Sequence, residues 1–228
     1  MKKFFILLLI LPALLLVWIM IDNRNSVDMT IRQKILKTIY PMLTGLTRLA
    51  GANSKSHKPP FAMEPPVSVY SLKILLNSGE EISMNSFRGK KVLLVNTASD
   101  CGYTAQYEDL QALQKEYDKD LVIIGFPAND FKQQEKGSDA QIAEFCKINF
   151  GVTFPLAAKS SVLKGDSQHP VFRWLSDKDL NGWNSQAPIW NFSKYLIDEQ
   201  GRLAGVFEPS VAPGAKEIVD LLEEAPGK

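Results

Sequence analysis

The sequence predicts an α/β domain in which a central mixed β-sheet is flanked by helices. Two continuous apolar runs, "KKVLLVNTA" and "LVIIGFP", are typical of strands buried on both faces, and a helical pattern lies between them. A strand, a helix and a strand within about 35 residues form a βαβ unit, whose crossover is right-handed in nearly all proteins. A later stretch, "NFSKYLIDEQGRLAGVFEP", predicts an antiparallel hairpin that turns at residues 199–201. Parallel and antiparallel strands together predict the mixed sheet.

The other elements follow from local patterns. Upstream of the first buried strand, "VSVYSLKIL" and "EEISM" predict an antiparallel hairpin around "NSGE". The crossover helix is predicted at "TAQYEDLQALQKEYDKD", where apolar side chains recur at helical spacing. Further helices are predicted at "DAQIAEFCKINF", "HPVFRWLSDK" and "APGAKEIVDLLEEA".

The N-terminus carries a candidate membrane anchor. Lys2 and Lys3 precede an apolar run over residues 4–21, which is longer than the core of a signal peptide (roughly 7 to 15 residues). No small-x-small cleavage site follows the run, so we expect residues 1–25 to form an uncleaved transmembrane helix, with a signal peptide as the alternative. The two lysines predict a cytoplasmic N-terminus and an extracytoplasmic domain, periplasmic in a bacterium.

Residues 26–66 predict a basic amphipathic segment and a linker. Apolar residues recur at spacings of three and four among lysines and arginines, with an interruption predicted at Pro41. The helix either lies on the lipid surface or is a stalk that packs on the domain. Residues 51–66 have a linker composition, so the domain is predicted to span residues 67–228. The apolar positions of the helix are Ile31, Ile35, Ile39, Leu43 and Leu46.

Composition excludes several classes of function. The 26 basic and 25 acidic residues leave no basic surplus for nucleic-acid binding. Two cysteines and two histidines, without a Cys-x-x-Cys pair, do not form a metal-binding pattern, and no cofactor is expected.

Cys101 is the first candidate for chemistry. It lies where a buried strand ends and a helix is predicted to begin near Thr104, and functional sites of open α/β sheets form beyond the carboxyl ends of strands. A helix N-terminus lowers the pKa of a nearby thiol, Gly102 permits a close turn, and Thr104 is a candidate helix cap. The alternative is a buried structural cysteine.

Three stretches carry a family resemblance. "NTASDCGYTAQYEDLQAL", "GFPANDFKQQEKGS" and "IWNFSKYLID" resemble, in that order, three signatures of the glutathione peroxidase family, and the likeness covers about residues 67–225. The resemblance implies a thioredoxin-like fold. It also implies a thiol peroxidase that reduces hydrogen peroxide and organic or lipid hydroperoxides.

By motif position, the resemblance implies that Cys101 is the peroxidatic residue and that Gln134, Trp190 and Asn191 are its polar partners. Two amides and an indole N–H are fixed hydrogen-bond donors, which stabilise charge on a thiolate and on a leaving oxygen without a histidine base. Gln133 is an equal alternative to Gln134 on local features alone.

The chain departs from the family pattern at three positions. Ala128 stands where many cysteine-type members carry a third cysteine, Asp130 where many carry glutamine, and Lys136 where many carry proline. The last two changes weaken the alignment of Gln134 within its loop.

Cys146 resembles the resolving cysteine of thioredoxin-dependent members. A second thiol condenses with an oxidised Cys101 to form a disulfide, and the helix that carries Cys146 would first have to unwind or shift. The alternatives are a structural disulfide and a buried helix cysteine. The implied reductant is a thioredoxin-like protein, with glutathione as the other candidate. The chain between Lys178 and Trp190 lacks the long insertion that tetrameric family members use for assembly, so the resemblance also implies a monomer.

Two other functions compete with the peroxidase. A peroxide sensor or redox relay would pass the oxidation of Cys101 to a partner protein. A dithiol-disulfide oxidoreductase is disfavoured, because the chain has no Cys-x-x-Cys pair.

Overall fold

The structure is a computed structural model that describes residues 14, 16–21, 23–49 and 55–225. Among these residues, no helix combines the length and the apolar character that crossing a bilayer requires. Of the predicted anchor, residues 16–21 are helical, whereas residues 1–13, 15 and 22 lie outside the described residues.

The regular elements are numbered in chain order. The strands are β1 (Ser56–His57), β2 (Lys73–Leu75), β3 (Glu81–Ser83), β4 (Lys91–Thr97), β5 (Leu121–Pro127), β6 (Lys194–Ile197) and β7 (Leu203–Phe207). The helices are α1 (Ile31–Leu49), α2 (Gln106–Glu116), α3 (Asp139–Phe150), α4 (Pro170–Leu175), α5 (Lys178–Asn181) and α6 (Lys216–Glu223).

The central sheet has the strand order β1-β7-β6-β4-β5. Strands β4 and β5 are parallel and α2 connects them, as the βαβ prediction requires, while β6 lies antiparallel on the other side of β4. The pairing of Leu93 with both Ile123 and Leu196 fixes this register. The mixed sheet with its flanking helices is the thioredoxin-like α/β fold, which confirms the predicted fold class of the domain.

Strand β4 separates two hydrophobic clusters. Leu93 and Val95 face the cluster that α2, α3 and α6 cover, and that cluster contains both cysteines. Val92 and Leu94 face the opposite cluster, which α4 covers. A strand with both faces buried explains the continuous apolar run in the sequence.

Two predicted boundaries differ from the structure. Residues 56–57, predicted as linker, form the edge strand β1 against β7. The strand predicted from Val67 is shortened to β2, because Val69–Ser71 is a 3₁₀ turn in which the Ser68 hydroxyl group accepts a hydrogen bond from the Tyr70 N–H. The hairpin of β6 and β7 forms as predicted, and Gly201 adopts the positive φ of +86° that its turn needs.

Helix α1 continues through Pro41, so the predicted interruption is wrong. A proline inside a helix removes one backbone donor and clashes with the carbonyl group four residues earlier, at a cost of about 3 kcal/mol, and α1 is continuous despite that cost. Of the two predicted locations, the first half of α1 shows packing on the domain. Gln33 and Thr38 are buried, and Met29, just before the helix, belongs to the cluster that contains the cysteines.

Candidate active site

The thiol of Cys101 lies in a turn that follows β4 at its carboxyl end, and the residue is buried with 1% of its surface exposed. The hydroxyl group of Thr104 closes this turn. It accepts a hydrogen bond from the Cys101 N–H at 3.0 Å and lies 2.8 Å from the carbonyl oxygen of Ala98, to which it donates. The prediction that Thr104 caps the helix is therefore wrong. Helix α2 begins at Gln106, after Ala105, which makes no side-chain capping bond.

Hydrogen-bond donors surround the Cys101 thiol. The Tyr103 N–H donates to Sγ at 3.5 Å, and the side chains of Trp190 and Asn191 are further hydrogen-bonding groups that favour the charged form of the thiol. Burial nevertheless raises the pKa of Cys101, and these three groups, together with the positive charge of Arg32, offset only part of that effect. The predicted lowering of the pKa is wrong, because the thiol is desolvated and the helix begins further along the chain.

The structure brings Gln134 and Asn191 together beside Cys101. The Asn191 Nδ2 donates to Gln134 Oε1 at 3.0 Å, and the backbone N–H of Asp100 donates to the Gln134 carbonyl oxygen at 3.0 Å. The neighbouring Gln133 is exposed, with a φ of +52°. Of these two glutamines, which the sequence could not separate, the structure therefore places Gln134 beside Asn191 and leaves Gln133 exposed.

Trp190 is fixed by its backbone and by its ring. Its carbonyl oxygen accepts hydrogen bonds from Asn96 Nδ2 at 3.1 Å and from the Ser193 hydroxyl group at 2.9 Å. Its ring lies 5.5 Å from that of Phe131 between centroids, and Lys132 Nζ lies 5.6 Å from the ring centre. Asn96, the first residue of "NTASDCGYTAQYEDLQAL", thus holds the backbone of Trp190, a role that its own motif does not reveal.

Asp130, one of the departures from the family pattern, has a structural contact in this chain. Its carboxylate accepts hydrogen bonds from the Ser161 hydroxyl group at 3.0 Å and from the Val162 N–H at 2.8 Å. It therefore anchors the loop that carries Gln134 to the following segment. Ala128 is buried, with no side-chain polar group to satisfy.

Glu135 is a buried carboxyl group that no sequence motif predicts. The Ser99 hydroxyl group donates to Glu135 Oε2 at 3.1 Å, and the Glu135 N–H donates to Asn129 Oδ1 at 2.9 Å. Burial raises the pKa of Glu135 from 4.5 to about 7, and the hydrogen bonds from Ser99 oppose this shift. Only its position next to Gln134 could have drawn attention to it.

Cys146 lies on α3 and is completely buried, and both cysteines are free thiols. Burial raises the pKa of Cys146 to about 12, and the hydroxyl group of Tyr107 offsets part of the effect. Helix α3 is capped at both ends, by the reciprocal hydrogen bonds of Ser138 and Gln141 and by Gly151 with a φ of +63°. Cys146 is therefore a protonated thiol inside a well-formed helix.

In the part of the chain that the structure describes, no three His, Cys, Asp or Glu side chains lie close enough together to hold a metal ion. A buried thiol at the carboxyl end of a central strand, among uncharged donors in a thioredoxin-like fold, is an arrangement typical of thiol-based oxidoreductases.

Comparisons with known proteins identify the family. The sequence profile of the glutathione peroxidase family matches residues 69–176. The chain is 44% identical over 147 residues to the glutathione peroxidase homolog BsaA of Staphylococcus epidermidis, an alignment that spans 64% of this chain and 92% of that protein. It is 41% identical over 160 residues to the glutathione peroxidase-like peroxiredoxin 2 of Saccharomyces cerevisiae, spanning 69% and 98% of the two proteins.

A solved structure agrees with these relatives. The crystal structure of Trgpx in its apo form superposes with a TM-score of 0.53 at 32% identity, covering 69% of this chain and 97% of that one. The chain belongs to the glutathione peroxidase family, and it is an oxidoreductase of the glutathione peroxidase type.

Proposed function

We propose that this chain reduces hydrogen peroxide and organic hydroperoxides, lipid hydroperoxides included, with Cys101 as the nucleophile. One observation carries the proposal: the Cys101 thiol is held among the Tyr103 N–H and the side chains of Trp190 and Asn191. Uncharged donors that are fixed before the reaction stabilise the thiolate and the charge that develops on oxygen, without a cost of reorganisation.

The proposed chemical step is a two-electron displacement. The Cys101 thiolate attacks one peroxide oxygen, so that an S–O bond forms while the O–O bond breaks. Sulfur is oxidised to the sulfenic acid, and the leaving oxygen departs as hydroxide or alkoxide and takes up a proton to give water or an alcohol. Gln134, held by Asn191, supplies an amide that can orient the peroxide.

Cys146 is proposed as the resolving thiol. Its sulfur would bond to the Cys101 sulfur, and the sulfenic oxygen would leave as water. Because Cys146 is buried in a capped helix and its pKa is raised to about 12, this step requires α3 to open first. A thioredoxin-like protein, or alternatively glutathione, would then supply two electrons and two protons to restore both thiols.

The cellular setting is also a proposal. The apolar run over residues 4–21 after two lysines supports an N-terminal anchor, with the catalytic domain on the extracytoplasmic side, periplasmic in a bacterium. An anchored enzyme would work beside oxidised lipid. We further propose a monomer, because the chain between Lys178 and Trp190 lacks the long insertion that tetrameric family members use for assembly.

Turnover by the purified full-length chain in detergent tests the function. Hydrogen peroxide and a phospholipid hydroperoxide are offered with either a thioredoxin system or glutathione, and consumption of the reductant is followed for wild type and for Cys101→Ser. Repeated turnover that Cys101→Ser abolishes supports the peroxidase. One oxidation per chain, with no turnover on either reductant, would favour the sensor or relay; turnover retained by Cys101→Ser would refute the proposal.

A further inference from the structure

The segment over residues 23–40, here named the stalk, lies against the active-site side of the domain. It precedes the residues that the family profile matches. Met29 of the stalk is buried in the same hydrophobic cluster as Cys101 and Cys146. The stalk is therefore packed into the domain, and a simple tether would not require this.

Polar contacts fasten the stalk to α3 and α2. The Val27 N–H and carbonyl oxygen both bond to the Asn149 side chain, each at 2.9 Å. Lys37 Nζ donates to the Asn149 carbonyl oxygen at 2.8 Å and pairs with Glu108 Oε1 at 3.1 Å. The same ammonium group lies 5.0 Å from the ring centre of Phe150. These contacts fix the start of α1 relative to the domain.

Two stalk side chains reach the turn that carries Cys101. Gln33 Nε2 donates to the Ser99 carbonyl oxygen at 2.7 Å, and Arg32 Nη1 donates to Asp100 Oδ1 at 3.0 Å. Ser99 and Asp100 are the two residues immediately before Cys101. Gln33 is buried, with 8% of its surface exposed, so its bond to Ser99 is largely shielded from water.

The loop of Gln134 holds the same turn from another direction. Asp100 donates through its N–H to the Gln134 carbonyl oxygen, and the Ser99 hydroxyl group donates to Glu135. The two residues before the thiol are thus fixed by the Gln134 loop and by the stalk together. Losing either set of contacts would leave only the other to hold the backbone that positions the Cys101 sulfur against its donors.

Charge gives Arg32 a second effect. Asp100 is the residue directly before Cys101, and an unpaired negative charge near a thiol disfavours the thiolate. Arg32 pairs with that carboxylate, and its own positive charge opposes the rise in the pKa of Cys101 that burial causes. Both partners are about half exposed, so water screens the pair and the effect should be modest.

We propose that Gln33 and Arg32 are positioning residues of the peroxidase site. The stalk would then complete a site whose reacting groups all lie in the domain over residues 67–228. The proposal rests on the proposed function, in which Cys101 is the nucleophile. Gln33 acts through Ser99 and Arg32 acts through Asp100. A stalk that only tethers the domain would leave the chemistry of Cys101 unchanged when these side chains are replaced.

The test uses the full-length chain in detergent, two matched pairs of variants and one conservative variant. Arg32→Gln is compared with Lys34→Gln, which removes an equal charge from the same helix at a residue with no ion pair among the described residues. Gln33→Met is compared with Thr30→Ala. The Thr30 hydroxyl group accepts a hydrogen bond from the Gln33 N–H at the start of α1, so this control removes a contact of Gln33 that does not involve the Cys101 turn. Arg32→Lys serves as the conservative rescue.

Two readouts are taken on each variant. The first is the second-order rate constant for oxidation by hydrogen peroxide. The second is the pH profile of Cys101 alkylation in a Cys146→Ser background. We expect Arg32→Gln to slow oxidation about twofold to fivefold and to shift the alkylation profile to higher pH, with Arg32→Lys close to wild type. Gln33→Met should slow oxidation about threefold to tenfold. Lys34→Gln and Thr30→Ala should match wild type.

Wild-type rates and pH profiles in both Arg32→Gln and Gln33→Met would overturn the inference, while the loss of activity in Cys101→Ser would still support the proposed function. Equal slowing in the Lys34 and Thr30 controls would also overturn it, because the effect would then belong to helix α1 in general. If Gln33→Met fails to unfold cooperatively, the exposed Arg32→Gln variant decides alone. Activity retained in Cys101→Ser would instead remove the proposed function on which the inference rests.

Discussion

The side chain of Asn191 donates a hydrogen bond of 3.0 Å to the side-chain oxygen of Gln134, and this bond joins two loops that lie 57 residues apart in the chain. Asn191 is also one of the groups that favour the charged form of the Cys101 thiol. The amide pair is therefore held in place before any substrate arrives. Such preorganised donors are the structural basis of the proposed peroxidase chemistry.

Shortening Gln134 should slow the oxidation of Cys101. In Gln134→Asn the amide can no longer meet both Asn191 and a peroxide, and the loss of one fixed donor costs about 100- to 1000-fold in rate. Stopped-flow measurement with hydrogen peroxide gives the rate constant. The matched control is Gln133→Asn, an equal shortening at the exposed neighbouring residue, where asparagine also tolerates the positive φ. Equal rates in the two variants would contradict the assignment of Gln134.

Removing the indole N–H of Trp190 should have a similar effect. Trp190→Phe keeps an aromatic ring beside Phe131 but deletes the donor to the thiol, so we expect oxidation to slow about 10-fold or more. Trp183→Phe is the control, since its indole N–H donates to the Leu203 carbonyl oxygen, outside the site. A Trp190→Phe variant as fast as Trp183→Phe would show that the indole N–H does not stabilise the reacting groups.

The candidate site could be proposed from the sequence on two grounds. Cys101 follows a buried strand, whereas Gln134, Trp190 and Asn191 were proposed only because three short motifs together resemble the signatures of one family. Gln134 could not be separated from Gln133 in this way, because the backbone conformation of the loop decides which side chain turns inward.

Other features depend on contacts that no local pattern encodes. The pKa of Cys101 was predicted in the wrong direction, because burial is a property of the assembled core. Arg32 reaches the site from a helix 68 residues before Asp100. The edge strand β1 was predicted as linker, since two residues carry too little pattern and only their pairing with Phe207 and Val206 defines them as a strand.

The reactivity of Cys101 should rise steadily with pH. Because burial raises its pKa above the usual value of 9.0, the thiolate is a small fraction at neutral pH. The alkylation rate with iodoacetamide in Cys146→Ser should therefore increase about tenfold per pH unit from pH 6 to pH 8. Mass spectrometry of the labelled peptide follows the reaction. A plateau already reached at pH 7 would mean that the donors outweigh burial.

Glu135 should make the stability of the chain pH-dependent. Its pKa is about 7 in the folded chain against 4.5 when solvated, so the folded state keeps a proton that the unfolded state loses between these values. The free energy of unfolding therefore falls as pH rises through this window, by up to about 3 kcal/mol from this group.

Denaturant titrations at pH 5 and pH 7 measure this effect. Glu135→Gln should lose the contribution, so that the difference in unfolding free energy between wild type and variant changes with pH in the stated direction. The control is Glu144→Gln, at an exposed residue of α3. A difference that stays constant between the two pH values would show that Glu135 is ionised throughout in the folded chain.

Cys146 should be far less reactive than Cys101 while the chain is reduced. It is completely buried in the capped helix α3, and its pKa is raised to about 12. Brief alkylation of the native reduced chain should label Cys101 well before Cys146, and both should label equally in denaturant. Rapid native labelling of Cys146 would indicate that α3 opens readily before oxidation.

The most direct test of the central claim is to oxidise the full-length chain with one equivalent of hydroperoxide and map both cysteines by mass spectrometry, in wild type and in Cys146→Ser. We expect a Cys101–Cys146 disulfide in wild type and a sulfenic acid on Cys101 in the variant. Oxidation that leaves Cys101 a free thiol would show that Cys101 is not the nucleophile.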